Sequence, residues 1–244
     1  MSAIRAHVEE LGPWITGFDF RGERYGGDYI PKEDSRVAGF IAAFRQCLER
    51  TGNRQPHLRI LECGCLEGGH TVLLAQAFPN AEIIATDLRE TNLRKARFLA
   101  SLYQLANIRW IKEDLADPQL VWGEDYDAVF CVGLLYHLRD PAKFLSEIAK
   151  RTSFLWLWTV ICAETEAVVT EGNYRGRMLP ETPNHPLSGG ERESFLPTLG
   201  SLADMLWHAG FRSVRLLDKG LTANDNGPYV LLQAERELVT SSAG

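Results

Sequence analysis

Apolar positions recur every three or four residues over 35–50 (SRVAGFIAAFRQCLER). They place Val37, Phe40, Ile41, Phe44 and Leu48 along one helical face, and Gly52 stands where that helix should stop. The period then switches back and forth. LRILEC (58–63) reads as an apolar strand, GGHTVLLAQAF (68–78) as a helix ended by Pro79, and AEIIATD (81–87) as a second strand. A helix over about 91–105, strands IRWIK (108–112) and YDAVFCV (126–132), a helix over about 141–150 and a strand in SFLWLWTVI (153–161) continue the alternation. Strands that are apolar throughout, spaced by helices, predict a parallel sheet covered on both faces.

Residues 163–197 break this rhythm, with Gly172, Gly176, Gly189 and Gly190 set among Pro180, Pro183, Pro186 and Pro197. So long a non-periodic stretch reads as a lid or functional loop, with a surface Ω-loop as its rival. A helix at 201–209 follows, then strands FRSVRLL (211–217) and GPYVLLQAE (227–235), which can pair antiparallel through 218–226. Thr240 to Gly244 form a small polar tail.

Composition narrows the function classes. With 45% hydrophobic and 24% charged residues the chain is an ordinary globular protein, and its length suits one domain with a sizeable core. Lys and Arg number 26 against 32 Asp and Glu, a net charge of −6, which disfavours a broad phosphate-binding surface and hence a nucleic-acid partner. The first thirty residues lack a basic start followed by an apolar run, and no apolar stretch approaches about 18 residues. A cytoplasmic protein without a membrane partner is therefore expected. Cys47, Cys63, Cys65, Cys131 and Cys162 form no CxxC pair and have no second Cys/His pair at ligand spacing, so reduced, mostly buried thiols and no metal site are expected.

The chemistry concentrates in RILECGCLEGGHTVLLAQAF, where a buried strand ends in an acid, glycines form the turn and a helix starts at once. Glycine lets the backbone approach a ligand, and ligands of open parallel sheets bind beyond the carboxyl ends of the strands. A dinucleotide site would read G-x-G-x-x-G. Here the run is Glu62-Cys63-Gly64-Cys65-Leu66-Glu67-Gly68-Gly69, with the glycine spacing broken and the Glu67 charge set where a pyrophosphate would sit. Carboxylates at the turn suit a ligand carrying an ammonium and a sulfonium instead.

E-x-G-x-x-x-G after an apolar strand resembles motif I of the class I S-adenosylmethionine-dependent methyltransferases. Asp87, ending IIATD, resembles the family's acid that takes both ribose hydroxyls, a task for a carboxylate's two acceptor oxygens. Asp114 in KEDLAD resembles the acid facing the adenine amino group, with the Leu115 backbone N–H offered to the ring. Val132 to Leu138 (VGLLYHL) resembles the G-x-L-x-H segment that lines the sulfonium and the substrate entrance in many small-molecule methyltransferases. The resemblance covers residues 35 to 235. LLYHLRDP, the insert with PNHP and SFLPTLGSLADMLWHAGF are similar to a bacterial branch of natural-product, sugar and lipid-associated enzymes and tRNA-modifying relatives.

The resemblance implies an α/β, three-layer Rossmann-like methyltransferase fold: a mostly parallel seven-stranded sheet with an antiparallel last strand, an N-terminal segment and a lid insert. One domain over 1–244 is expected, with a cofactor- or substrate-covering segment at 1–34, a cofactor-binding core at 35–162, the lid at 163–197, and the closing helix and two strands at 198–235. The implied cofactor is S-adenosyl-L-methionine. Its contacts would be Glu62, Gly64, Cys65 and Gly68 at the turn, Asp87 and Leu88 after the second strand, Asp114 and Leu115, Gly133 and Leu134, and Tyr29 from RGERYGGDYIPKEDSR.

Each assignment has a plainer rival. Glu62 can cap the turn, Asp114 can cap a short helix to Pro118, and Tyr29 can belong to a solvated strap with buried rings. His137 can act as a general base or merely hold its loop, and Tyr136 is a wall residue beside it. Asn173, Tyr174, Arg175, His185, Glu191 and Arg192 are candidate acceptor contacts in a loop that is polar by default. Trp156 and Trp158 share one side of their strand and fill a sheet face rather than form a base platform.

The function expected is methyl transfer to a small-molecule acceptor, first a hydroxyl of a natural product or sugar, because a histidine base helps a hydroxyl and is largely unnecessary for a neutral amine. A tRNA-base or N-methyltransferase and a non-catalytic cofactor-binding partner protein are the alternatives, with an NAD-dependent dehydrogenase last. A homodimer is compatible with all of them. Glu62→Ala and Asp87→Ala are each expected to weaken cofactor binding and leave the fold intact.

Overall fold

The computed structural model describes residues 3–53, 55–117, 119, 120, 122–224 and 227–236. The chain divides into two compact units, Met1–Glu113 and Asp114–Gly244. The polar tail expected at 240–244 and the tip of the last hairpin at 225 and 226 lie outside the described residues.

The first unit opens with helix α1 (Ala3–Glu10) and a hairpin of β1 (Gly17–Phe20) and β2 (Glu23–Gly26), elements the hydrophobic pattern does not predict. The hairpin turns on Arg21 and Gly22, both at positive φ (51° and 82°), the two-residue turn whose twist suits antiparallel strands. Phe18 and Tyr25 stack across it at 5.6 Å and pack with Val8, Val72 and Leu99. Helix α2 (Ser35–Thr51) starts on an Asp34 cap that accepts the Arg36 N–H, ends at left-handed Gly52, and buries Val37, Phe40 and Phe44 as its periodicity predicts. There follow β3 (Arg59–Cys63), α3 (Gly69–Ala77), β4 (Glu82–Asp87), α4 (Glu90–Leu102) and β5 (Ile108–Lys112). The strands are parallel, with Ile60 beside Ile83 and Ile83 beside Ile108.

The second unit carries β6 (Ala128–Val132), α5 (Pro141–Arg151) on an Asp140 cap, and β7 (Phe154–Val160) parallel to β6. Residues 163–197, expected as a lid or functional loop, contain a three-stranded antiparallel sheet of β8 (Val169–Glu171), β9 (Tyr174–Pro180) and β10 (Glu193–Pro197). Its glycines and prolines shape strands rather than break them: a Cβ on Gly176 would lie 2.1 Å from the Leu196 carbonyl oxygen, and Pro180 and Pro197 end their strands. Helix α6 (Leu199–Ala209), β11 (Ser213–Asn224) and β12 (Gly227–Glu235) close the chain, β12 running antiparallel to both β7 and β11.

The strands β3, β4, β5, β6, β7, β11 and β12 form one seven-stranded sheet in which β12 alone is antiparallel. This is the Rossmann-like methyltransferase architecture. Trp156 is buried in β7 and Trp158 packs against Tyr136 and Tyr229. All five cysteines are free thiols, and only Cys47 is not buried. No helix among the described residues is long and apolar enough to cross a membrane.

Candidate cofactor and active site

Between β3 and α3 the chain takes three left-handed residues in five: Gly64 (φ 76°), Leu66 (φ 50°) and Gly68 (φ 79°). The two glycines adopt this region freely, whereas Leu66 is held there, its N–H donating to Asp87 Oδ2 at 2.9 Å. The Cys65 N–H donates to the Thr86 carbonyl at 2.7 Å, so the turn is laced to the end of β4. A Cβ on Gly68 would sit 2.8 Å from the Ala96 Cβ and 3.0 Å from its Cα, within α4. Gly68→Ala is therefore expected to cost about 2–3 kcal/mol through left-handed strain and overpacking, read as a lower urea midpoint at unchanged m.

Glu62, the next-to-last residue of β3, and Asp87, the last of β4, stand on adjacent strands. Glu62 is 2% exposed, and the Thr71 hydroxyl, in the first turn of α3, donates to its Oε2 at 2.5 Å. Burial pushes the Glu62 carboxyl up to about 8, with the nearby Asp87 charge adding to the effect and the Thr71 hydrogen bond opposing it. Asp87 is also raised by burial, against hydrogen bonds from the Arg89 N–H (2.8 Å), the Asn92 amide (3.1 Å) and the Leu66 N–H. Burial, then the Glu62 and Asp87 charges, raise the Cys65 thiol, which makes it a wall rather than a nucleophile. Leu88 follows, half-buried.

The sequence reading of Glu67 needs correction. Its carboxylate is 1% exposed and serves the N-terminal strap: Oε2 accepts the Ile15 and Thr16 N–H groups at 2.9 and 2.6 Å, and Oε1 accepts from Lys95 Nζ at 2.7 Å. Its charge is matched there, so the case against a pyrophosphate rests on the glycine spacing alone. Tyr29 donates to Asp34 Oδ2 at 2.5 Å and lies 2.7 Å from His70 Nε2, in a network that includes Arg36. Burial raises the Tyr29 hydroxyl; burial also opposes ionisation of Asp34, but hydrogen bonds from His70, Arg36 and Tyr29 hold that carboxyl far below the usual range. Arg36 is offered by the same sequence segment as Tyr29, whereas His70, 41 residues on, joins the network only through the fold.

In the second unit Asp114 accepts the Ala116 N–H at 3.0 Å, which closes a local turn, and Pro118, the end of the helix it was expected to cap in the rival reading, lies outside the described residues. Leu115 lines a cavity of about 280 Å³ with Leu138 and Phe144, rimmed by Arg139 and Glu191. Gly133, at φ 89°, follows β6, and Leu134 leads into a 3-10 turn over Leu135–His137. Tyr136 packs on His137 at 4.2 Å between ring centroids. His137 Nδ1 lies 2.8 Å from Glu181 Oε1, a partner with no sequence signal beyond an acid in a proline-rich insert. Of the insert candidates, Glu191 accepts the Arg139 N–H, Tyr174 meets His208, and the Arg175 N–H donates to Ser201.

Residues 60–153 match the family model described as a methyltransferase domain. The N-terminal domain of EvdMO1, crystallised in the presence of SAH and D-fucose, is similar at a TM-score of 0.81 and 27% identity, covering 96% of each chain. The tRNA U34 carboxymethyltransferase of Pseudomonas aeruginosa (strain LESB58) is 28% identical over 238 residues, 91% of this chain and 64% of that protein. The ubiquinone biosynthesis O-methyltransferase of Acinetobacter baylyi (strain ATCC 33305 / BD413 / ADP1) is 32% identical over 90 residues, 36% of each. The chain spans less than two thirds of the length of these curated relatives. A glycine turn between two buried acids, on a mostly parallel seven-stranded sheet, agrees with the match of residues 60–153 and with the likeness to a domain solved with SAH bound, and these residues carry a methyltransferase domain of the class I kind that uses S-adenosylmethionine as cofactor.

Proposed function

We propose that this chain transfers the methyl group of S-adenosylmethionine to a hydroxyl of a small molecule, a sugar or a natural product. The observation that carries the reading is Glu62, a buried acid near a strand end that faces the Thr71 hydroxyl and the Asp87 carboxylate, with no cation against it among the described residues. A cationic amino-acid ligand supplies the missing partner, so the residues fit the cofactor. When bound, S-adenosylmethionine supplies a methyl group activated by its sulfonium, which leaves as the neutral thioether.

The chain's own work is binding, alignment and proton transfer. In the first unit, Glu62 receives positive charge, the turn at Gly64 to Gly68 brings backbone close to the ligand, and Asp87 offers its remaining lone pairs to the ribose. Cys65, Leu88 and Tyr29 are assigned to the walls of the cofactor site. In the second unit, Asp114 and Leu115 are assigned to the adenine, Gly133, Leu134 and Tyr136 to the reacting end, and His137 to the acceptor's proton. Asp87 also supports the turn through three donors, so Asp87→Ala is expected both to weaken cofactor binding about tenfold and to cost about 2 kcal/mol of stability while the fold is kept. Calorimetry and a thermal scan on the same preparation separate the two effects.

The sugar acceptor rests on the likeness to the EvdMO1 domain that was crystallised with D-fucose. A tRNA acceptor is the second reading, favoured by tRNA U34 carboxymethyltransferases that align with about nine tenths of this chain. Incubation with labelled cofactor and either a panel of sugars and phenols or total tRNA, at low and raised salt, tests both. Product from the small molecules supports the proposal; label on tRNA alone overturns it.

A further inference from the structure

Glu181 sits in the insert, just past β9, with its side chain 3% exposed. A carboxylate so buried is stable only where donors surround it, and three do. The Gly189 N–H donates to Oε2 at 3.0 Å, and the Ser194 hydroxyl (3.2 Å) and His137 Nδ1 (2.8 Å) converge on Oε1. The backbone is fitted to the same purpose: a Cβ on Gly189 would lie 2.6 Å from the His137 carbonyl oxygen, so only glycine lets the insert close on the 3-10 turn. His137 is 15% exposed at its side chain, and its Nε2 has no hydrogen-bond partner among the described residues.

Resting on the methyl-transfer reading above, we infer that Glu181 is the positioning residue of the catalytic base, fixing His137 with its proton on Nδ1 and its lone pair on Nε2. An acceptor-only carboxylate forces that tautomer. In the reaction the acceptor O–H bond breaks, its proton forms an N–H bond at Nε2, and the electron pair stays on the oxygen that bonds to the methyl carbon. The imidazolium so formed is compensated by the Glu181 carboxylate and later loses its proton to solvent. Ser194 and Gly189 orient Glu181 in turn.

Glu181→Gln discriminates this role from mere packing. An amide cannot present acceptors on both sides, and the Gly189 N–H is a fixed donor, whereas histidine can change tautomer. The amide oxygen therefore takes Gly189 and the NH₂ faces Nδ1, which drives the proton to Nε2 and blocks the base. Expected are a fall in kcat of about 10²-fold, with the acceptor KM within about twofold, and partial recovery in Glu181→Asp. Nitrogen-15 NMR of neutral His137 should report the Nδ1–H tautomer in the native protein and Nε2–H in the Gln variant. The NMR needs no acceptor, so it decides the inference even if no methyl transfer is found and the functional reading fails. Native His137 protonated on Nε2, or turnover of Glu181→Gln at the native kcat, overturns it while leaving methyl transfer standing. If the Gln variant does not fold, the native tautomer and the Asp variant carry the test.

Discussion

Replacing Glu62 by glutamine is expected to lower the affinity for S-adenosylmethionine by about 10²-fold or more, the cost of removing one side of a buried charge pair. It should also make the free protein harder to unfold in alkali. Both follow from an acid held at about 8 by burial, against an ordinary 4.5. Below the ordinary value the carboxyl is protonated in folded and unfolded chains alike, and its contribution to stability is whole. As pH rises toward about 8 the unfolded chain gives up the proton while the folded chain keeps it, so that contribution is lost, fully so above 8. Glutamine cannot ionise and escapes the loss. Cofactor binding runs the other way: a cation favours the charged form, so native affinity should climb by up to about tenfold per unit from about pH 6 to about pH 7.5, with release of up to one proton. Titration calorimetry in buffers of differing ionisation enthalpy reads that proton. Native affinity independent of pH, or a Gln variant that binds as tightly, would show that the cation does not meet Glu62.

The parts of this fold legible in the sequence are those written in hydrophobic period. Helix α2 and strands β3, β4 and β5 fall within a residue or two of where the alternation places them, because burial of a continuous apolar run leaves the chain little choice. The strands of the insert are not legible because one that needs Gly176 for close approach looks, in one dimension, like a broken one. The N-terminal hairpin was missed because Phe18 and Tyr25 bury their rings against α3 and α4, a partner no local pattern announces. The site shows the same division. Glu62, the two glycines and Asp87 carry a spacing that chemistry can interpret, whereas Glu181 reaches His137 across 44 residues and is visible only once the insert has folded.

Lys95→Met is expected to destabilise the protein by about 3–5 kcal/mol, since it leaves the Glu67 carboxylate charged and unmatched in the interior. Lys95 is only 8% exposed, lies over the Trp14 ring at 5.4 Å, and donates to the Pro13 carbonyl as well as to Glu67. Methionine fills much the same space, so the loss isolates charge from packing. Because the Ile15 and Thr16 N–H groups share one Glu67 oxygen, a glutamine can accept both, and Glu67→Gln with Lys95→Met should recover most of the deficit. Urea unfolding of the single and double variants measures this coupling. Hydrogen exchange should show the loss at the Ile15 and Thr16 amides first, where the strap is tied to the cofactor turn through Glu67, the residue immediately before Gly68. A Lys95→Met protein within about 1 kcal/mol of the native one would mean that the strap is held by its aromatic packing, and that Glu67 finds water when its lysine is gone.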